Sequence, residues 1–133
     1  LKNNTVRIPV SHGELFDKIV ILSIKLNKIV DKTKLVNIKR ELDHLLSIER
    51  VLDPPIDEQL LRENIETLHE VNLKLWHVED ELRDMEREKY FGPEFVEKAR
   101  SVYILNDQRF MAKSAINALF NSSIKEEKAY KLY

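Results

Sequence analysis

An all-α domain is the fold class this sequence predicts, and three observations predict it. Helix breakers are scarce, with 2 Gly and 4 Pro in 133 residues. Charged residues make up 34%, above the roughly 25% of an average domain, as long solvated helix faces require. Apolar residues recur at spacings of three and four through four long stretches, the period of a helix with one buried face. Together these predict one domain, an antiparallel bundle of four principal long helices: an extended arm over residues 1–10, the bundle over 11–120 and a tail over 121–133.

In the arm, Thr5 to Val10 alternates apolar and polar residues, and Pro9 confines such a strand to an edge. The tail from Ala129 to Tyr133 alternates too, but an extended arm laid on the bundle is the preferred reading. Helix one opens at Ser11, with Glu14 three residues on as the second half of a capping box. Leu15, Ile19, Leu22, Leu26 and Ile29 form its seam, and Phe16, Val20, Ile21 and Ile24 extend the apolar surface around most of the helix. A helix apolar nearly all round is buried, so helix one is expected at the centre. Asp31 or Thr33 caps helix two, whose stripe is Leu35, Ile38, Leu42, Leu45 and Leu52, and Asp53-Pro54-Pro55 ends it. Helix three starts near Ile56 or Asp57 and carries a heptad seam of Leu61, Asn64, Leu68, Val71, Leu75, Val78, Leu82 and Met85. At Phe91-Gly92-Pro93 it stops, with Gly92 expected in the left-handed cap conformation and Pro93 in the first turn of helix four. Helix four runs to Phe120 with a stripe of Phe95, Ala99, Val102, Asn106, Phe110, Lys113, Ile116 and Phe120, and Asn121-Ser122-Ser123 closes it.

The absence of cysteine excludes thiol catalysis, a disulfide framework and any Cys-ligated metal, and fits a cytoplasmic protein. No segment reaches the ~18 uncharged apolar residues of a membrane span. The net charge of −1 divides into about +6 over residues 1–40, −9 over 41–90 and +2 over 91–133. A basic opening and an acidic middle can pack on each other. Nucleic acid is not expected, since no dense Lys/Arg cluster interleaves with aromatics.

Three constellations bear on chemistry. Glu41-x-x-His44 and Glu66-x-x-His69 have the spacing of a carboxylate-bridged di-iron site, yet at about 100° per residue His44 falls about 130° from the helix-two stripe. The helix-one seam holds no Glu either, so a solvated surface is the expectation, with no metal and no cofactor. Glu14 with Asp17, and Glu79 to Asp84, have carboxylates at the spacing a magnesium-dependent pyrophosphohydrolase uses, but an acidic helix produces such spacings by chance. The third is sharper. Helix one carries Asp17, Lys18 and Lys25 within its apolar surface, and helix four places Asn106 and Lys113 in its stripe with Arg109 and Asn117 beside it. Charges that face a core must be paired or bound. The structural reading is an internal network, Asp17 meeting Arg109 or Lys113. The functional one is a polar pocket for an anionic small molecule between helices one, three and four.

Several blocks resemble a family of short bacterial and phage proteins of unknown function: Gly13-Glu14-Leu15-x-Asp17-Lys18-Ile19, Leu75-Trp76-x-x-Glu79-Asp80, Phe91-Gly92-Pro93, Ala99-Arg100-Ser101-Val102-Tyr103-x-x-Asn106-Asp107-x-Arg109 and Lys113-x-x-Ile116-Asn117. The resemblance spans about residues 10–130. It implies a free-standing small helical protein and supplies no activity. It picks out Glu14 and Asp80, and as candidate ligand-binding residues Asp17, Lys18, Trp76, Arg100, Asn106, Asp107, Arg109 and Lys113. The leading expectation is a non-enzymatic interaction or accessory module that forms a homodimer, because helix three is long enough to leave its far end uncovered. The alternative is a small-molecule-binding or catalytic bundle whose anionic ligand, such as a nucleotide with magnesium, sits in that pocket.

Overall fold

Four helices in chain order, α1 (His12–Lys28), α2 (Lys32–Glu49), α3 (Glu58–Arg87) and α4 (Pro93–Leu119), make up the computed structural model, which describes residues 4–133. Among the described residues there is no strand. Helix α1 packs against each of the other three, α3 packs along α4, and among the helices α2 packs on α1 alone. The central place expected for α1 is therefore observed, as its nearly continuous apolar surface requires. One side of it, Phe16, Val20 and Ile24, builds a core with Leu68 of α3 and Ala112 and Ile116 of α4. The other side holds Leu22 against Ile38 and Leu42 of α2.

The caps explain the boundaries. Ser11 Oγ accepts the Glu14 N–H at 3.1 Å, one half of the expected capping box. The reciprocal half is not made, because the Glu14 carboxylate turns to Lys113 Nζ at 2.7 Å. Asp31 caps α2 by accepting from Thr33 and Lys34, and Asp57 caps α3 by accepting from Leu60. Helix α2 stops at Glu49, before the expected Leu52. Val51 and Leu52 instead donate three residues back, to Ile48 and Glu49, a tight turn that carries Leu52 to the core under Phe16.

Gly92 corrects the sequence reading. It is the N-cap of α4 at φ −76°, not a left-handed C-cap. The left-handed residue that ends α3 is Lys89, at φ 56°. Its N–H bonds Glu86 O and the Tyr90 N–H bonds Met85 O at 2.9 Å, a Schellman closure. A Cβ at 92 would lie 2.6 Å from the Tyr90 hydroxyl, the far end of an exposed side chain that would have to swing aside. The same closure ends α4 at Asn121, φ 51°, with the Ser122 N–H on Asn117 O at 2.8 Å. The arm is extended, with Val6 and Ile8 exposed, and borders a groove of about 690 Å³ between α1 and α2. Beyond Asn121 the tail runs back along α4, meeting Lys113 through Glu126, Asp107 through Tyr130 and Tyr103 through Tyr133.

Candidate functional site

The site begins where α1 crosses α4. Gly13 sits so close to α4 that a Cβ would lie 2.3 Å from the carbonyl oxygen of Lys113. Only glycine permits that approach. The crossing also completes the first turn of α1, whose N–H groups lack helical partners. Gly13 N–H donates to Asn117 Oδ1 at 2.6 Å, and His12 N–H to Ser122 Oγ at 3.4 Å. His12 stacks on Phe120 at 4.6 Å between ring centres.

One turn on from Gly13, Asp17 points into the space between α1, α3 and α4 and is fully buried. A buried carboxylate must be matched by donors. Arg109 of α4 grips it with Nε, 3.0 and 3.1 Å from the two oxygens, and with one terminal nitrogen, and Asn72 of α3 donates to Oδ1 at 2.9 Å. The hydrogen bond to Asp17 holds the Arg109 guanidinium above its already high ordinary pKa, against the pull of burial. Of the two partners expected for Asp17, Arg109 is the one observed.

Lys113 lies one turn further along α4. Its ammonium pairs with Glu14 at 2.7 Å and with Glu126 of the tail at 2.8 Å. Burial pulls its pKa down, yet the contacts with Glu126 and Glu14 outweigh burial and leave it raised. Lys113 in turn, with Lys128, holds Glu126 below the ordinary carboxylate value. Signs thus alternate along Lys128, Glu126, Lys113, Glu14 and Lys18, the last pair at 3.8 Å.

Beside the Asp17–Arg109 pair opens a cleft of about 460 Å³ between the same three helices. Arg109 and Asn72 line it together with Lys25 and Ile21 of α1, Trp76, Glu79 and Asp80 of α3, and Asn106 of α4. Among the described residues Lys25, Glu79 and Asp80 form no ion pair. The structure therefore joins Asp17, Trp76, Asn106 and Arg109 at one place, with Lys113 next to it. Lys18 is exposed and faces the groove on the α2 side of α1. Arg100 is exposed further along α4, away from the cleft. Asp107 accepts from Tyr130 at 2.6 Å beneath the tail, and that bond, followed by one from Tyr133, keeps its pKa low. Asn72 and Glu126 were not singled out by the sequence. Asn72 had a signal, four residues after Leu68 and three before Leu75 on the buried face. Glu126 had none, because residues 121–128 carry no apolar period.

The candidate metal spacings are dispersed. Glu41 and His44 are exposed on α2, Glu66 and His69 on α3, and these two helices do not touch. Among the described residues no group of three or more His, Cys, Asp or Glu side chains is placed to hold a metal ion. No helix among them is long and apolar enough to cross a membrane.

Fold and site define a small all-α domain built around an ion pair buried where three helices meet. The chain belongs to the family of unknown function DUF6165, which matches residues 6–133. No curated protein and no solved structure matched the chain.

Proposed function

We propose that the chain is a non-enzymatic helical interaction module that pairs with a second copy of itself through the far end of the α3–α4 hairpin. The observation that carries this is a break in burial along one seam. Leu68, Val71 and Leu75 on α3 are 0%, 3% and 9% exposed. Val78, Leu82 and Met85, continuing the same heptads, are only half-buried. On α4 the same change separates buried Leu105, Ala112 and Ile116 from half-buried Phe95, Ala99 and Val102. The core that α1 shares with this hairpin extends to Ile24. Past it α3 and α4 cover only each other, with Phe91 and Val96 about half exposed at the tip. A second hairpin supplies the helices that α1 does not, and a two-fold axis lets one surface serve both copies. Light scattering at micromolar concentration tests this. The unmodified chain is expected at twice the chain mass and Leu82→Glu as a folded monomer, and a monomer mass for the unmodified chain would contradict the proposal.

A second reading is favoured by the guanidinium of Arg109, which is 28% exposed while its partner Asp17 is wholly buried. Buried ion pairs seldom add net stability, because desolvation offsets the attraction. Here the pair fixes a planar donor at the wall of a cleft, as the binding of a small molecule with an anionic group requires.

A further inference from the structure

The charges in the cleft name the ligand more narrowly, given the second reading above, on which this ligand assignment rests. Arg109 is not a free cation, since Asp17 neutralises it at hydrogen-bond distance. The remaining charges around the opening are Lys25 on α1 against Glu79 and Asp80 on α3. Their net charge is −1, so a plain anion such as a phosphate meets a wall of net negative charge. The hydrogen-bonding inventory is not negative. Arg109 uses Nε–H and one terminal N–H on Asp17, which leaves three N–H donors, and Asn106 adds an amide. Between donors and carboxylates stands the indole of Trp76, with Ile21 from the facing helix. An aromatic face favours a cation and an apolar body together.

We infer that the cleft binds a small zwitterion of the amino-acid class. The carboxylate lies toward Arg109 and Asn106, the ammonium toward Glu79 and Asp80, whose two charges outweigh that of Lys25 at the same end, and the side chain on Trp76. Each charge of the ligand then meets its opposite.

Trp76 is the only tryptophan in the chain, so its emission reports binding directly. The unmodified chain is titrated with L-phenylalanine, with phenethylamine, which lacks the carboxylate, and with 3-phenylpropionate, which lacks the ammonium. L-Leucine, isopentylamine and 4-methylpentanoate repeat the series on an aliphatic body. A saturable change is expected for a zwitterion, with each truncated partner at least about tenfold weaker, the discrimination one unpaired charge supplies. Glu79→Gln combined with Asp80→Asn should erase the preference over the acid, and Lys25→Met should widen it. All three positions lie on the cleft wall outside the Asp17 network, so unchanged helicity and unfolding midpoint confirm that the fold persists. If the acid alone binds as tightly as the zwitterion, the anion reading stands and this inference falls. If the amine alone does so, the inference falls too. If nothing saturates up to roughly 10 mM, beyond the ~1 mM of a weak site, both readings fall.

Discussion

Removing the Asp17 carboxylate is the most informative perturbation of the core. In Asp17→Ala the Arg109 guanidinium loses its bidentate partner and Asn72 loses its acceptor, in a space that water does not reach from α1. Breaking a buried pair by deleting one member costs about 3–5 kcal/mol. Arg109 is 28% exposed toward the cleft and can recover some hydration there, which places the loss near the lower end, about 3 kcal/mol. At about 2.1 cal/mol/K per residue over a chain of this length, that lowers the unfolding midpoint by roughly 10 °C. Circular dichroism melts measure it. The companion variant Asp17→Leu with Arg109→Met replaces both charges by apolar groups and should return to within about 1 kcal/mol of the unmodified chain, since a well-packed apolar pair matches or exceeds a buried ion pair. A midpoint within about 3 °C for Asp17→Ala, under about 1 kcal/mol, refutes the reasoning. So does a double variant as unstable as the single one, which would make the charges themselves the source of stability.

Gly13→Ala should be among the most damaging single substitutions, because the clash is with a backbone carbonyl at 2.3 Å that no rotamer relieves; a loss of at least about 2 kcal/mol is expected in chemical denaturation. Lys89→Gly should raise stability by about 1 kcal/mol in the same assay, relieving a left-handed lysine at φ 56°. The tail clasp should be pH-dependent at both ends. The depressed Glu126 contributes above its ordinary value of 4.5 and loses that contribution as pH falls through its lower folded value. The raised Lys113 contributes below 10.5 and loses it as pH rises through its higher folded value. Protection of residues 122–133 against hydrogen exchange, taken relative to the intrinsic rate at each pH, should therefore fall toward acid and toward strong alkali, while the α1–α3–α4 core amides keep theirs longer.

Much of the fold was legible because helix–helix packing writes a period into the chain. The 4-3-4-3 seam from Leu15 to Ile29, with apolar residues on the opposite face, required α1 to be central, and it is. The Asp17–Arg109 contact was legible for a related reason: a charge on a helix that is otherwise apolar has few ways to be satisfied. What the sequence did not disclose is decided by tertiary crowding, which has no local pattern. Gly92 looks like a C-cap, yet it caps the start of α4 while Lys89 takes the left-handed turn. Glu14 looks like the second half of a capping box, yet a buried ammonium is the stronger partner. Of the candidate residues, Lys18, Arg100 and Asp107 lie on other faces of the helices that carry Asp17 and Arg109. A resemblance in blocks does not separate faces of a helix.

The proposed self-association is tested most directly by hydrogen exchange measured at several protein concentrations. Protection of residues 78–85 and 95–102 is predicted to rise with concentration, while the outer face of α2 stays constant and light scattering reports the mass doubling over the same range. Concentration-independent exchange at both segments, or protection arising instead along the N-terminal arm, would contradict the account.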